Sequence, residues 1–221
     1  MREALPLEFA CPACGARARM TVRTVVDAEG RPDLVAKLLD GTLCEATCPA
    51  CRAAVAVDHA LAYVDHPRRA CCLCEPAGDI AAPTAAAAAR PGYRLRRVRD
   101  ANALRELALV WREGLDDLAM LLVRHWLADR LARDEGRPPL LCAYDGREEA
   151  GEGHLVYTVF MTERDPPAMA TVPMEAYRTM ADLANRVRGE VCPDGEWIGW
   201  DAETARRAWQ SIEAGIAPAA R

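Results

Sequence analysis

Two short stretches of the sequence repeat the tetrapeptide Cys-Pro-Ala-Cys, at residues 11–14 and 48–51. Two cysteines separated by two residues can both reach one metal ion from a tight turn, and thiolates are ligands that zinc favours. Each turn supplies half of a tetrahedral shell, so the two turns together predict one zinc site. The predicted ligands are Cys11, Cys14, Cys48 and Cys51. Four protein ligands leave no position for water or a substrate, which predicts a structural role for the zinc ion.

The ten cysteines also bear on the cellular compartment. No run of 18 or more apolar residues is present, and the first residues do not resemble a secretion signal, so we expect a cytoplasmic protein without a membrane span. In a reducing compartment, clustered cysteine pairs indicate metal or redox chemistry rather than disulfides. An iron–sulfur site or a thioredoxin-like redox pair is the alternative, although redox pairs begin a helix and these pairs precede strand-like runs.

A second set of possible ligands lies outside the repeat. Cys44 precedes the second pair, and three more cysteines are close together at residues 71–74. If residues 63–73 form a hairpin that turns at residues 65–68, strand alternation puts Cys72 and Cys74 on one face and Cys71 on the other. The candidates for a second metal site or a redox site are Cys44, Cys71, Cys72, Cys74 and His66, with His59 as an alternative to His66. Packing of these cysteines as small apolar side chains is the competing interpretation.

The segments around the two pairs predict how the ligands are positioned. Alternating residues predict a strand over residues 18–26 and another over residues 53–64. Between them, Val35, Leu38 and Leu39 share one face of a short predicted helix that ends at Gly41. The 33 residues between the pairs can be closed into a loop because the entropic cost rises only logarithmically with length. The sequence therefore predicts a zinc ribbon with an inserted helix.

Three motifs together resemble the CpXC domain family. They are the Cys-Pro-Ala-Cys pairs, the segment RPDLVAKLLDGTL at residues 31–43, and the segment AYVDHPRR at residues 62–69. The similarity continues more loosely over residues 93–131. The resemblance implies that the four cysteines of the repeat are the family's metal ligands, and it implies no particular activity.

An alanine- and proline-rich stretch at residues 77–92 separates two differently composed halves. Because proline interrupts helices, we expect an extended linker there, with a short alanine-rich helix as the alternative. The predicted domains are a zinc-ribbon-like domain at residues 1–76, this linker, and a C-terminal region at residues 93–221. The predicted fold class is α+β.

The C-terminal region is predicted to combine helices with a small antiparallel sheet. The predicted elements are a long helix at about 100–134, strands at about 140–172, and helices at about 173–188 and 201–214. Apolar residues of the long helix recur every three or four positions, which fits one helix or two helices that meet near Gly114. This apolar stripe contains Leu104, Ala108, Trp111, Leu115, Leu118, Leu122 and Trp126. The stripe could pack within the chain or form a homodimer.

Two further groups could suggest a site in this region. Asp116 and Asp117 are neighbours, but adjacent helical residues point about 100° apart, so we expect a solvated face rather than an acid/base pair. The solvated face is predicted to contain Arg105, Glu106, Arg112, Glu113, Asp116 and Asp117. Trp197 and Trp200 could line a binding groove or complete a small core.

The formal net charge of −5 leaves one concentrated basic run, at residues 93–100. Its arginines could contact phosphate, and a solvated strand edge is the alternative. No nucleophile with a base, phosphate-binding glycine loop or open metal position can be assembled from the sequence. We therefore predict a non-enzymatic, zinc-stabilised protein that binds a protein partner or acts as a scaffold. A nucleic-acid-associated regulator and a thiol redox sensor are the alternatives.

Overall fold

A computed structural model describes residues 4–76, 90–148 and 153–216. Residues 77–89, which form most of the predicted linker, lie outside this description. The chain divides into two compact units, of which unit 1 is Met1–Ala108 with Asp194–Ile198 and unit 2 is Leu109–Pro193 with Gly199–Arg221. The predicted domain bounds at 1–76 and 93–221 stay a prediction. None of the described helices is both long enough and apolar enough to cross a membrane.

Unit 1 consists mainly of β-strands. Its elements are β1 (Ala4–Ala10), β2 (Arg17–Arg23), β3 (Val25–Asp27), α1 (Pro32–Leu39), β4 (Glu45–Thr47), β5 (Ala54–Ala56), β6 (Leu61–Asp65), β7 (Ala70–Cys74), β8 (Arg94–Val98), the first part of α2 (Ala101–Arg112), and most of β12 (Trp197–Gly199). Strands β1 and β2 form one antiparallel hairpin, and β4 and β5 form a second. The remaining strands form one sheet in the order β12-β8-β7-β6-β3.

The strand predicted over residues 18–26 is two strands in different sheets. β2 pairs with β1, whereas β3 runs parallel to β6. Val22 and Val26 are both buried, and they are an even number of residues apart. The alternating pattern therefore continues unchanged through the break at Thr24, and alternation alone could not reveal it. The strand predicted over residues 53–64 is likewise divided, into β5 and β6.

The five-stranded sheet places β7 between β6 and β8. All five residues of β7 are buried, which explains its continuous run of small and apolar side chains. β8 is an interior strand as well, so the alternative of a solvated strand edge at residues 93–100 is wrong. Arg96 is buried, and the guanidinium of Arg97 lies 5.7 Å from the centre of the Trp197 ring. These two arginines are therefore not displayed as one open basic surface.

Unit 2 combines helices with a three-stranded antiparallel sheet, as the sequence predicted. Its elements are the end of α2, α3 (Asp117–Glu135), β9 (Leu141–Glu148), β10 (His154–Phe160), β11 (Ala168–Pro173), α4 (Met174–Val191) and α5 (Ala202–Ile216). The sheet order is β11-β10-β9. The observed mixture of small sheets and helices confirms the α+β fold class.

The single helix predicted over residues 100–134 is instead two helices, which was the alternative arrangement. Gly114 has a φ of 71°, a left-handed conformation that glycine adopts without the clash that a Cβ atom introduces. Asp116 then caps α3, because its carboxylate accepts a hydrogen bond of 2.9 Å from the N–H of Ala119. A left-handed residue followed by a new N-cap ends one helix and begins another.

The first two turns of α3 are buried on every side. Its buried residues run from Asp117 to Val123 without interruption. The prediction that Asp117 and Glu106 lie on a solvated face is therefore wrong, since both are buried. The interior of this unit needs a helix that is apolar all round rather than one with a single apolar stripe. The predicted homodimer through residues 100–134 stays a prediction.

Candidate metal centre

The first Cys-Pro-Ala-Cys turn connects β1 to β2. The N–H of Cys11 donates to the carbonyl oxygen of Ala16 at 2.9 Å, and the N–H of Gly15 donates to the carbonyl oxygen of Cys11 at 2.8 Å. Gly15 has a φ of 73°, which lets the chain turn back beneath the two sulfur atoms. The hairpin therefore presents both thiols of the first pair at its tip.

The second turn, between β4 and β5, repeats the first one bond for bond. The N–H of Cys48 donates to the carbonyl oxygen of Ala53, and the N–H of Arg52 donates to the carbonyl oxygen of Cys48, both at 2.9 Å. Arg52 occupies the position equivalent to Gly15 and has a φ of 64°. An L-residue with a side chain is strained in this conformation by about 1–2 kcal/mol.

This difference between the turns predicts opposite effects of two substitutions. Arg52→Gly should raise the free energy of unfolding by about 0.5–1 kcal/mol, because it relieves the left-handed strain at a small cost in chain entropy. Gly15→Ala should lower it by about 1 kcal/mol, and a Cβ there would meet no atom within 4 Å, so the effect is purely conformational. Denaturant unfolding of the metal-loaded protein measures both. Changes of equal sign would contradict the equivalence of the two turns.

The two turns bring their sulfur atoms together. Cys11 Sγ lies 3.7 Å from Cys51 Sγ, and Cys14 Sγ lies 3.8 Å from Cys48 Sγ. All four sulfurs lie within 4.8 Å of one another. A tetrahedral zinc ion with bonds of about 2.3 Å requires sulfur–sulfur distances of about 3.8 Å. The four residues therefore fit one metal ion, and each close sulfur pair joins different turns, as a shared ion requires.

The surroundings shift the pKa of two of the thiols in opposite directions. The N–H groups of Cys51 and Ala50 lower the pKa of Cys48 to about 7, since they donate hydrogen bonds to its sulfur. For Cys14, the N–H of Ala16 lowers the pKa, but the Cys51 sulfur, desolvation and the other sulfurs raise it by more, to about 12. Four crowded thiolates repel one another, and a bound cation removes that repulsion.

A small apolar cluster packs beneath the sulfurs. Its buried members are Cys11, Cys48, Val55 and Val57, and Leu7, Phe9, Met20 and Ala46 pack against them partly buried. Two-stranded sheets are marginally stable by themselves, and this cluster is small for holding two of them together. We call β1, β2, β4, β5 and their two turns the metal lobe.

The second set of predicted ligands does not form a comparable cluster among the described residues. Within residues 4–76, 90–148 and 153–216, the repeat cysteines are the one group of three or more potential ligands whose ligand atoms lie within 4.8 Å of one another. His66 Nδ1 lies 2.7 Å from the hydroxyl oxygen of Tyr93. Both ring nitrogens of His59 lie near backbone oxygens, at 3.0 Å from Val57 and 2.9 Å from Arg23. Both histidine rings are therefore engaged in other contacts.

The cysteines of the second set are buried thiols. Burial raises the pKa of Cys71 and of Cys74 to about 12, and burial together with the charge of Asp58 raises the pKa of Cys44 to about 11. Cys72 is fully buried in the same strand. Since the thiolate is the reactive form, these side chains have the properties of packing residues at neutral pH.

Site-resolved thiol labelling at pH 8 should separate the two cysteine sets. With metal bound, we expect fast modification at the half-buried Cys192 and slow modification elsewhere. After chelation, Cys14 and Cys51 should become fast, while Cys71 and Cys74 stay slow because the five-stranded sheet still covers them. Mass spectrometry of the labelled peptides measures each site. Fast labelling of Cys14 and Cys51 before chelation, or no increase in their labelling after it, would contradict the metal assignment.

Trp197 and Trp200, which could line a binding groove or complete a small core, contribute to packing. Trp200 is buried, its indole N–H donates to the carbonyl oxygen of Asp117 at 3.1 Å, and the Arg124 guanidinium lies 4.6 Å from its ring centre. Trp197 is half-buried and packs against a core cluster that contains Leu95. These contacts match the core alternative.

Sequence reasoning missed a polar cluster at the break between α2 and α3. The hydroxyl of Tyr144 donates to Glu113, and the Tyr177 hydroxyl oxygen accepts a hydrogen bond of 2.8 Å from the N–H of Asp116. Arg188 donates to the Asp116 carboxylate at 2.6 Å. The partners are 31, 61 and 72 residues apart, so no local pattern could have indicated them. The cluster stabilises the break.

Comparison with known proteins assigns the family. The family model described as CpXC protein matches residues 9–124, which is more than half of the 221 residues. No curated protein and no solved structure matches the chain. The matched segment includes both turns of the candidate metal centre and β6 to β8 of the five-stranded sheet. The chain therefore belongs to the CpXC family.

Proposed function

We propose that the protein is a non-enzymatic, zinc-stabilised binding protein in which the zinc ion holds the metal lobe in shape. The observation that supports this proposal is the distance of 3.7–3.8 Å between sulfurs of opposite turns. Four sulfurs at this spacing complete a tetrahedral shell around one ion. A completed shell has no open position at which a water molecule or a substrate could be activated, which favours a structural role.

Zinc is the metal that this donor set favours. Soft thiolates select zinc, copper(I) or iron, and a tetrahedral set of four thiolates is typical of structural zinc. An iron–sulfur cluster contains several irons and bridging sulfides inside the ligand cage, so its cysteine sulfurs must lie further apart than sulfurs that share one ion. A single iron ion would satisfy the same geometry, and metal analysis distinguishes the two.

Replacement of the metal by Co²⁺ tests whether the shell is closed. We expect the intense visible absorption of tetrahedral cobalt with four thiolate ligands. This spectrum should stay unchanged when azide or cyanide is added at concentrations that leave the protein folded, because a closed shell cannot accept another ligand. A spectral change that saturates with the added anion would show an open position and would contradict the structural role.

We further propose that the metal lobe binds a protein partner. Its turns expose Pro12, Ala13, Pro49 and Ala50 beside the metal, and small rigid surfaces of this kind are suited to recognition. Co-purification from native lysate should recover a partner with the wild-type chain and with Cys192→Ser, but not with Cys48→Ser. Equal recovery by all three chains would place recognition outside the metal lobe. Sedimentation at several concentrations tests the homodimer, and a monomer throughout would exclude it.

A further inference from the structure

A cluster of arginines lies where β7 and β8 begin. Because these strands are parallel, the turn before β7 and the turn before β8 lie side by side at the same end of the strands. The N–H of Arg94 donates to the carbonyl oxygen of Arg69 at 2.8 Å, which joins the two turns directly. Arg90 begins the second turn, where its carbonyl oxygen accepts a hydrogen bond from the N–H of Tyr93. We call Arg68, Arg69, Arg90 and Arg94, together with His66, the turn patch.

The position of Arg69 is determined by two unusual features. Arg69 has a φ of 51°, a conformation that a residue with a side chain rarely adopts. Its guanidinium lies directly against Gly92, where a Cβ atom would be 2.6 Å from Arg69 Nη2. The glycine therefore leaves room for the cationic group on top of the second turn. These two features accompany the placement of the Arg69 guanidinium over the second turn.

The charge of the turn patch is only partly neutralised. Asp65 is buried, and its carboxylate accepts hydrogen bonds from the N–H and the guanidinium of Arg68, at 3.0 and 3.1 Å. Arg69 and Arg90 are exposed, and neither forms an ion pair with a carboxylate in the part of the chain that the structure describes. A protein with a net charge of −5 thus presents a local excess of positive charge at this end of the strands.

From this arrangement we infer that the turn patch binds the phosphate groups of a nucleic-acid strand. Guanidinium groups bind phosphate oxygens with two parallel hydrogen bonds. The two turns precede neighbouring strands, whose backbones are about 5 Å apart, so their arginines share one small surface. Every nucleotide carries a phosphate whatever its base, so a cluster of arginines can bind the backbone of a nucleic acid without reading its sequence. In a protein, negative charge occurs only at Asp and Glu residues, so the uniform charge of a nucleic-acid backbone suits this patch better.

The turn patch is not the same set of residues as the basic run at residues 93–100, which is continuous in sequence. Only the first arginine of β8 takes part, because Arg96 is buried and Arg97 lies over Trp197. Arg90 precedes that run, and His66, Arg68 and Arg69 come from a turn more than 20 residues away in sequence. The inference does not depend on the metal, so its failure would leave the proposed zinc function untouched.

Fluorescence anisotropy with a labelled mixed-sequence 16-nucleotide DNA, single-stranded and duplex, at 50–200 mM salt tests the inference. The test variant is Arg69→Asn with Arg90→Gln, since asparagine tolerates the left-handed conformation. The matched control is Arg178→Gln with Arg186→Gln, which removes the same charge from exposed arginines of α4. We expect the test variant to bind about 10-fold more weakly and the slope of log K against log salt to shrink by about 1.4–1.8. The control should stay within about 2-fold, since it removes no phosphate contact.

Three outcomes would overturn the inference. These are no binding by the wild-type chain at 50 mM salt, equal weakening in test variant and control, or equally tight binding of a labelled polyglutamate peptide, which would indicate an acidic protein partner instead. Should the double variant lose its metal or its cooperative unfolding, Arg90→Gln alone replaces it. This exposed change should weaken binding about 3-fold and reduce the salt slope by about 0.7–0.9.

Discussion

Cys11→Ser should abolish stoichiometric metal binding and unfold the metal lobe while the five-stranded sheet remains folded. A structural zinc ion contributes on the order of 10 kcal/mol of apparent folding free energy in small domains. The apolar cluster beneath the sulfurs has four buried members and cannot replace a contribution of that size. By contrast, β6 and β7 are buried along their whole length and contain none of the four repeat cysteines.

Amide hydrogen exchange read out by mass spectrometry measures this result. Peptides that contain β1, β2, β4 and β5 should exchange almost freely in the variant, and peptides that contain β6 and β7 should stay protected. Cys192→Ser is the control, because this cysteine is half-buried and lies outside the cluster of four sulfurs. Full protection of the metal lobe in Cys11→Ser would contradict a structural role for the metal.

Leu122→Ala should lower the free energy of unfolding of unit 2 by about 3–5 kcal/mol. Leu122 is 0 % exposed in the part of α3 that is buried on every side. Truncation of a fully buried leucine removes its transfer free energy and leaves a cavity. Alanine is a good helix former, so the loss reports on packing rather than on helix propensity.

Chemical denaturation followed by tryptophan fluorescence measures the effect, and metal content should stay at one ion per chain. Leu140→Ala is the matched control, since Leu140 is 62 % exposed and its truncation should change stability by less than about 0.5 kcal/mol. A loss below about 1 kcal/mol for Leu122→Ala would contradict the placement of α3 in the interior. Loss of the metal in the same variant would contradict its confinement to the metal lobe.

The metal centre was predictable because its ligands lie in two short sequence motifs. A Cys-Pro-Ala-Cys turn orients two thiols by itself, and a tetrahedral ion needs two such turns. The equivalence of Gly15 and Arg52 was not predictable, because an arginine gives no signal for a left-handed conformation. The fold class and the C-terminal antiparallel sheet followed from alternation and turn residues, which are local as well.

The arrangement of the five-stranded sheet could not be predicted, because its strand pairings are not local in sequence. β3 pairs with β6 and β8 pairs with β7 in parallel, and such pairings depend on long connections rather than on neighbouring residues. The burial of Asp117 could not be predicted either. A carboxylate in a helical segment indicates a solvated face, so the sequence of this fully buried turn resembles that of an amphipathic helix. The polar contacts of Asp116 depend on residues 61 and 72 positions away.

X-ray absorption at the metal edge of the purified, metal-loaded protein tests the central claim most directly. The proposed function predicts one zinc ion per chain, bound by four sulfur atoms at about 2.3 Å with no nitrogen or oxygen ligand. The zinc–sulfur signal should be absent from the Cys11→Ser protein and present in the Cys192→Ser protein. A folded wild-type protein that contains no metal, or a shell in which nitrogen or oxygen replaces sulfur, would contradict the account.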